Sequence, residues 1–169
     1  ISQPVASSTG SVTVTASTGA VSVAGNVSAA TLVSISPKTT YSGAGSLTAS
    51  AGTLTISGGT SVAPTGTLLA SGNVTISGSG AITNTGATIT SSSGTVSVTS
   101  TGSSISLGSA VSGNVVRMLP NTTYDGAGSL TASAGTLSIS GGTTVAPTGA
   151  IQASGNITLS GSGQVSTAT

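Results

Sequence analysis

Five side chains in this 169-residue chain carry a group that titrates or bears charge: Lys38, Tyr41, Arg117, Tyr124 and Asp125. Acid–base catalysis needs two such groups set within reach of one substrate. One Asp and no Glu cannot form a carboxylate pair, and the absence of His and Cys removes Ser–His and Cys–His nucleophiles. Zinc lacks its usual ligands, and a calcium site would hold a single carboxylate. A Ser–Lys arrangement around Lys38 is the one formal nucleophile left. Its place beside Pro37 reads instead as a turn or interface charge. The glycine-rich stretch GAGSLTASAG (43–52) lacks the Gly-Lys-Ser/Thr ending of a phosphate-binding loop. Two cations cannot make the basic stripe that nucleic acid requires. The sequence therefore predicts no enzyme, no metal, no cofactor and no nucleic-acid partner.

The elements that position these groups are unusual in composition. Charged residues are 2% of the chain, aromatic residues 1%, and glycine occurs 26 times. An ordinary soluble domain is about 25% charged. Without Phe or Trp, a core must be thin and filled by Val, Leu, Ile and Ala. A flexible Ser/Gly linker is the competing reading, but a mean hydropathy of +0.45 and regularly spaced aliphatics oppose it. No run of about 18 apolar residues occurs, so no membrane-spanning helix is predicted. Two tyrosines cannot supply the aromatic girdles of a membrane barrel. The chain opens on Ile1 with no signal-peptide pattern, as a processed form or a fragment would.

Internal repetition is the dominant signal. Residues 37–83 match residues 120–166 at a shift of about 83, with roughly three-quarters of positions identical. Upstream, TVTASTG (13–19) parallels SVTSTG (97–102), and AVSVAG (20–25) parallels SISLG (104–108). Within each copy, apolar pairs flank one small polar residue, as in Val12/Val14, Leu54/Ile56, Val74/Ile76, Val96/Val98 and Ile105/Leu107. This alternation predicts short half-buried strands. Anchors recur about every seven to nine residues, with glycine at the joins. The expected fold is all-β: one continuous solenoid over 1–169, of the single-stranded, right-handed type and built from short strands. Two tandem β-sandwiches are the alternative, disfavoured because such a core usually holds a large aromatic.

Residues 69–90, LASGNVTISGSGAITNTGATIT, resemble the repeats of filamentous haemagglutinin-type adhesins, and 152–166, QASGNITLSGSGQVS, repeat the first half. Those adhesins are secreted bacterial β-solenoids. The resemblance implies an elongated solenoid at the cell surface or outside the cell.

A formal net charge of +1 leaves a nearly neutral surface, which promotes association, and an open solenoid end leaves strand edges unpaired. Both favour a structural subunit or segment of a self-assembling filament, fibre or adhesin, with the chain itself as partner. Lys38, Tyr41, Tyr124 and Asp125 are candidate subunit-contact residues, because Lys38 and Asn121, and Ser42 and Asp125, are equivalent positions carrying different charge. Ice binding through Thr-x-Thr pairs (Thr13/Thr15, Thr53/Thr55, Thr83/Thr85, Thr88/Thr90) and binding of surface glycans are the rival expectations. Four Asn-x-Ser/Thr sites, at Asn26, Asn73, Asn121 and Asn156, are read mainly as turn residues.

Overall fold

The computed structural model describes residues 1–167. Strands of two to six residues, separated by glycine- and serine-rich corners, are the only regular elements in this range. They form three eight-stranded sheets, here A, B and C. Every strand pairing is parallel, and each strand pairs with those three places before and after it in the chain. The result is a β-solenoid of eight coils, each contributing one strand to each sheet in the order A, B, C. Coil 1 spans 5–22, coil 2 27–43, coil 3 47–64 and coil 4 68–84. Coil 5 spans 89–107, coil 6 111–124, coil 7 130–145 and coil 8 151–165. A coil takes about 21 residues, so the 83-residue repeat is four coils.

Alternation decides which residues face the axis. In coil 4, Val74 and Ile76 are fully buried, while Thr75 and Ser77 lie on the outer face. The same holds for Val96 and Val98 in coil 5, and for Ile105 and Leu107, whose neighbours Ser97 and Ser106 face outward. Stacking in register turns each inward position into a column. On sheet B, Val33, Leu54, Val74, Val96, Val116 and Leu137 lie one above another. On sheet A the column Val27, Leu47, Leu68, Ile89, Val111 and Leu130 runs alongside it. Beside that runs a column of small residues, Ala29, Ala49, Ala70 and Ser91, where the chain turns from sheet A to sheet B. One cluster, aliphatic apart from Tyr41 and Tyr124, thus fills the interior from Val12 to Val145.

The corners depend on glycine where the backbone leaves the range open to other residues. Gly58 and Gly59 have φ of 101° and 82°, and their repeat counterparts Gly141 and Gly142 have 108° and 77°. These are left-handed conformations that favour glycine. At Gly80 the constraint is proximity: a Cβ there would lie 1.7 Å from the Thr60 carbonyl oxygen of the coil below.

Two pairs of substitutions test this architecture. Val74→Asp places an uncompensated carboxylate in the core and is expected to cost at least ~3 kcal/mol. The same change at its counterpart Ile157, which is 47% exposed, should cost under ~1 kcal/mol. Gly80→Ala should destabilise by about 1–3 kcal/mol. Gly19→Ala, where an added Cβ meets nothing within 4 Å, should be close to neutral. Urea titration followed by circular dichroism measures all four; equal effects within either pair would contradict the structure.

Candidate functional site

The charged residues stand apart. Lys38 is exposed at the corner between sheets B and C of coil 2, and Asp125 is exposed just after the sheet C strand of coil 6. Four coil spacings separate those two levels, about 19 Å at the usual strand separation. Arg117 is exposed on the outer face of sheet B in coil 6, between Ser97 and Ser138 of the adjoining coils. Within one chain, therefore, the topology does not bring Lys38 and Asp125 together.

Tyr41 and Tyr124 correct the expectation that they line a subunit contact. Both are core residues, 1% and 0% exposed. Each sits at an inward position of sheet C, with Thr40 or Thr123 before it facing out. Tyr41 stacks between Val21 and Val62, and Tyr124 between Ile105 and Val145. Their rings are the largest fully buried side chains, and neither hydroxyl has a hydrogen-bond partner. Burial pushes the Tyr41 phenol from 10.0 up to about 12. Burial also raises Tyr124, and the neighbouring Asp125 carboxylate raises it further.

The outer faces carry hydroxyls. Side-chain ladders join Ser11 to Thr31 at 3.0 Å, Ser112 to Thr90 at 3.3 Å and Ser160 to Ser140 at 3.1 Å. The Thr-x-Thr pairs fall on different faces. Thr13/Thr15 and Thr53/Thr55 belong to sheet B, Thr83 to sheet C and Thr90 to sheet A. The middle outer row of sheet B runs Thr55, Thr75, Ser97, Arg117, Ser138, so a cation and several serines interrupt it. Two shallow depressions mark the surface. One, about 270 Å³, is lined by Ala6, Ser7, Ser8, Ser28, Ala29, Ala30 and Ser50. The other, about 210 Å³, is lined by Gly58, Gly59, Ser77, Gly78, Ser79 and Thr101. Neither lining includes a titratable side chain.

Corner asparagines act as hooks between coils. Asn73 Oδ1 accepts the Thr95 N–H at 2.8 Å, and Asn26 Oδ1 accepts the Ser46 N–H at 3.0 Å. Buried Asn84 accepts the Ser109 N–H at 3.2 Å and donates to the Ala87 carbonyl at 2.5 Å. Turn stabilisation, expected from sequence, is thus joined by a bond to the following coil.

The last described coil is the most apolar exposed feature. Ile157 and Val165 are 47% and 44% exposed there, whereas their counterparts Val74 and Ile82 are 0% and 1% exposed. Ile151 and Leu159 are half-buried, against fully buried Leu68 and Ile76. Comparison with protein-family models, with curated proteins and with solved structures finds no match to this chain.

The tyrosines make alkali the expected weak point. A folded-state pKa above the unfolded value means that stability is full below pH 10 and is lost as pH rises toward and through 12. The slope is about 1.4 kcal/mol per pH unit for each tyrosine that titrates on unfolding. Unfolding midpoints should be level between pH 5 and 9 and fall above pH 10. Tyr41→Phe with Tyr124→Phe should remove the alkaline fall. At pH 7 it should leave stability equal or higher, because an unpartnered buried hydroxyl costs about 1–3 kcal/mol. A destabilised double variant at pH 7 would show that the hydroxyls are partnered.

Proposed function

We propose that the chain is a structural element of an extracellular or cell-surface assembly, the shaft of a filament, fibre or adhesin, and that it works by stacking and not by chemistry. The observation that carries this reading is a coil stack of near-constant cross-section, paired coil to coil by parallel strands and coated with Ser and Thr. Parallel backbone pairing supplies the axial cohesion, and the aliphatic columns exclude water from it. A coat with three charged side chains adds little long-range repulsion between molecules.

The rival ice-binding reading needs a flat, regular threonine array on one face. The scattering of Thr pairs over three sheets, and Arg117 in the middle row of sheet B, favour the structural reading. Surface glycans would be met by hydroxyl rows without an exposed aromatic platform, since both tyrosines are buried.

The test is electron microscopy and sedimentation of the purified chain across a concentration series at pH 7. Rods that lengthen with concentration, in steps of about 38 Å for eight coils, are expected. A protein that stays monomeric at the highest soluble concentration would overturn the reading, and thermal hysteresis of such a monomer would favour the ice-binding one.

A further inference from the structure

Coil 6 breaks the hydroxyl coat more than its repeat counterpart, coil 2, does. Its sheet B strand turns Val115, Arg117 and Leu119 outward, where coil 2 turns Leu32, Ser34 and Ser36. Asp125 in the same way takes the place of Ser42 on the sheet C side. Two of the three charged side chains thus lie in one coil, with opposite sign and on different faces. Both are exposed. Coil 6 lies between coils 5 and 7, so these faces are flanks of the stack.

Each charge stands among small or apolar side chains. Val115 and Leu119 lie two residues to either side of Arg117, about 7 Å away along the strand. Leu119 is 37% exposed. Around Asp125 the outward residues of sheet C are small and half-buried: Ser106, Thr123, Thr144 and Ala146. A face of such side chains lets another sheet lie close against it.

We infer that sheet B of one copy packs side by side on sheet C of a second copy, with coil 6 beside coil 6 and Arg117 against Asp125. This inference rests on the structural reading above and adds a lateral contact to it. Charge selects this pairing of faces. Sheet B on sheet B at that level would oppose two guanidinium groups, and sheet C on sheet C two carboxylates. Sheet B on sheet C joins opposite charges and sets Leu119 over the small residues of the second copy. Lys38 stands at a corner four coils away, so copies at matching levels never set it beside Asp125. The two faces differ, so a copy that gives its sheet B still offers its sheet C, and copies add laterally.

Sheet C limits the area of this contact. Its strands run two to four residues over eight levels, roughly 10 Å by 38 Å, or about 400 Å² on each copy. That is less than a lasting pair of proteins buries, so one such contact is weak. It recurs in every copy and gains by number where copies are already joined in a stack. An exposed ion pair adds little cohesion; its effect is to set which levels meet.

The experiment mixes two variants and traps the contact with a carbodiimide, which couples a carboxylate to an amine beside it. One variant carries Arg117→Glu and the other Asp125→Lys. Both sites are exposed, so the circular dichroism should not change. Alone, each variant has like charges at the two positions and should give at least about tenfold fewer covalent dimers than the equal mixture. In the mixture, mass spectrometry should find position 117 of one chain coupled to position 125 of the other. Each position is changed in one variant only, so this product joins two copies by construction. Arg117→Lys in the otherwise unaltered chain should likewise give dimers coupled between position 117 and Asp125. A mixture no better than its components, or coupling of Lys38 to Asp125 at equal or greater yield, would overturn the contact. Rods that still lengthen with concentration in that case would leave the structural reading standing without it. A chain that stays monomeric and gives no covalent dimer would overturn both.

Discussion

Parallel backbone pairing between successive coils is the constraint on which the rest of this structure depends. It requires each coil to repeat the path of the one before, because a strand donates and accepts along its whole length to the strands on either side. A coil that strayed at one corner would break the ladder in the sheet that follows. The corners are therefore built from glycines that either hold a positive φ, as Gly58 and Gly59 do, or lie against a carbonyl of the coil below, as Gly80 does. The columns follow from the same rule. Once coils stack in register, a residue faces its counterparts along the axis, and aliphatics of similar volume satisfy every level.

Much of this was legible in the sequence because a strand's period of two is the shortest signal a chain can carry. Val74/Ile76 and Val96/Val98 fixed their own inward direction, and Thr75 and Ser97 confirmed it from the other face. The match of 37–83 with 120–166 was equally plain, but its meaning as four coils was not. That required knowing that a strand at 47–49 pairs with one at 68–70, a relation between segments that differ in sequence. The tyrosines were misread for a physical reason. Tyr41 lies between Thr40 and Ser42 in a polar stretch with a lysine nearby, which resembles a surface loop. Only the strand's alternation, set by its pairing with Val21–Ser22 and Ser61–Pro64, turns that ring inward.

Those two rings also show what a chain without Phe spends on bulk. At coils 2 and 6 the inward column of sheet C holds tyrosine where the adjoining coils hold Val or Ile, and each adds a buried hydroxyl that finds no partner. Elsewhere the interior is thrifty with polar groups: the buried Ser91, Ser100 and Asn84 are each hydrogen-bonded to a backbone group. The unpartnered phenols are thus exceptions inside a satisfied core. They also place the only titratable side chains of the interior at levels four coils apart, where neither influences the other.

The repeat gives the molecule an internal control that few proteins possess. Similar residues occupy coil 4, which lies between two described coils, and coil 8, which has a described neighbour on one side. Val74 and Ile157 differ by a methylene group, yet one is sealed and the other half open. Asn73 holds the next coil through the Thr95 N–H, and Asn156 stands at the same corner of coil 8. Cohesion in such a stack belongs to interfaces between coils, so an end coil holds half of what an interior coil holds. That cohesion comes from backbone pairing and aliphatic contact, and neither depends on a charged side chain.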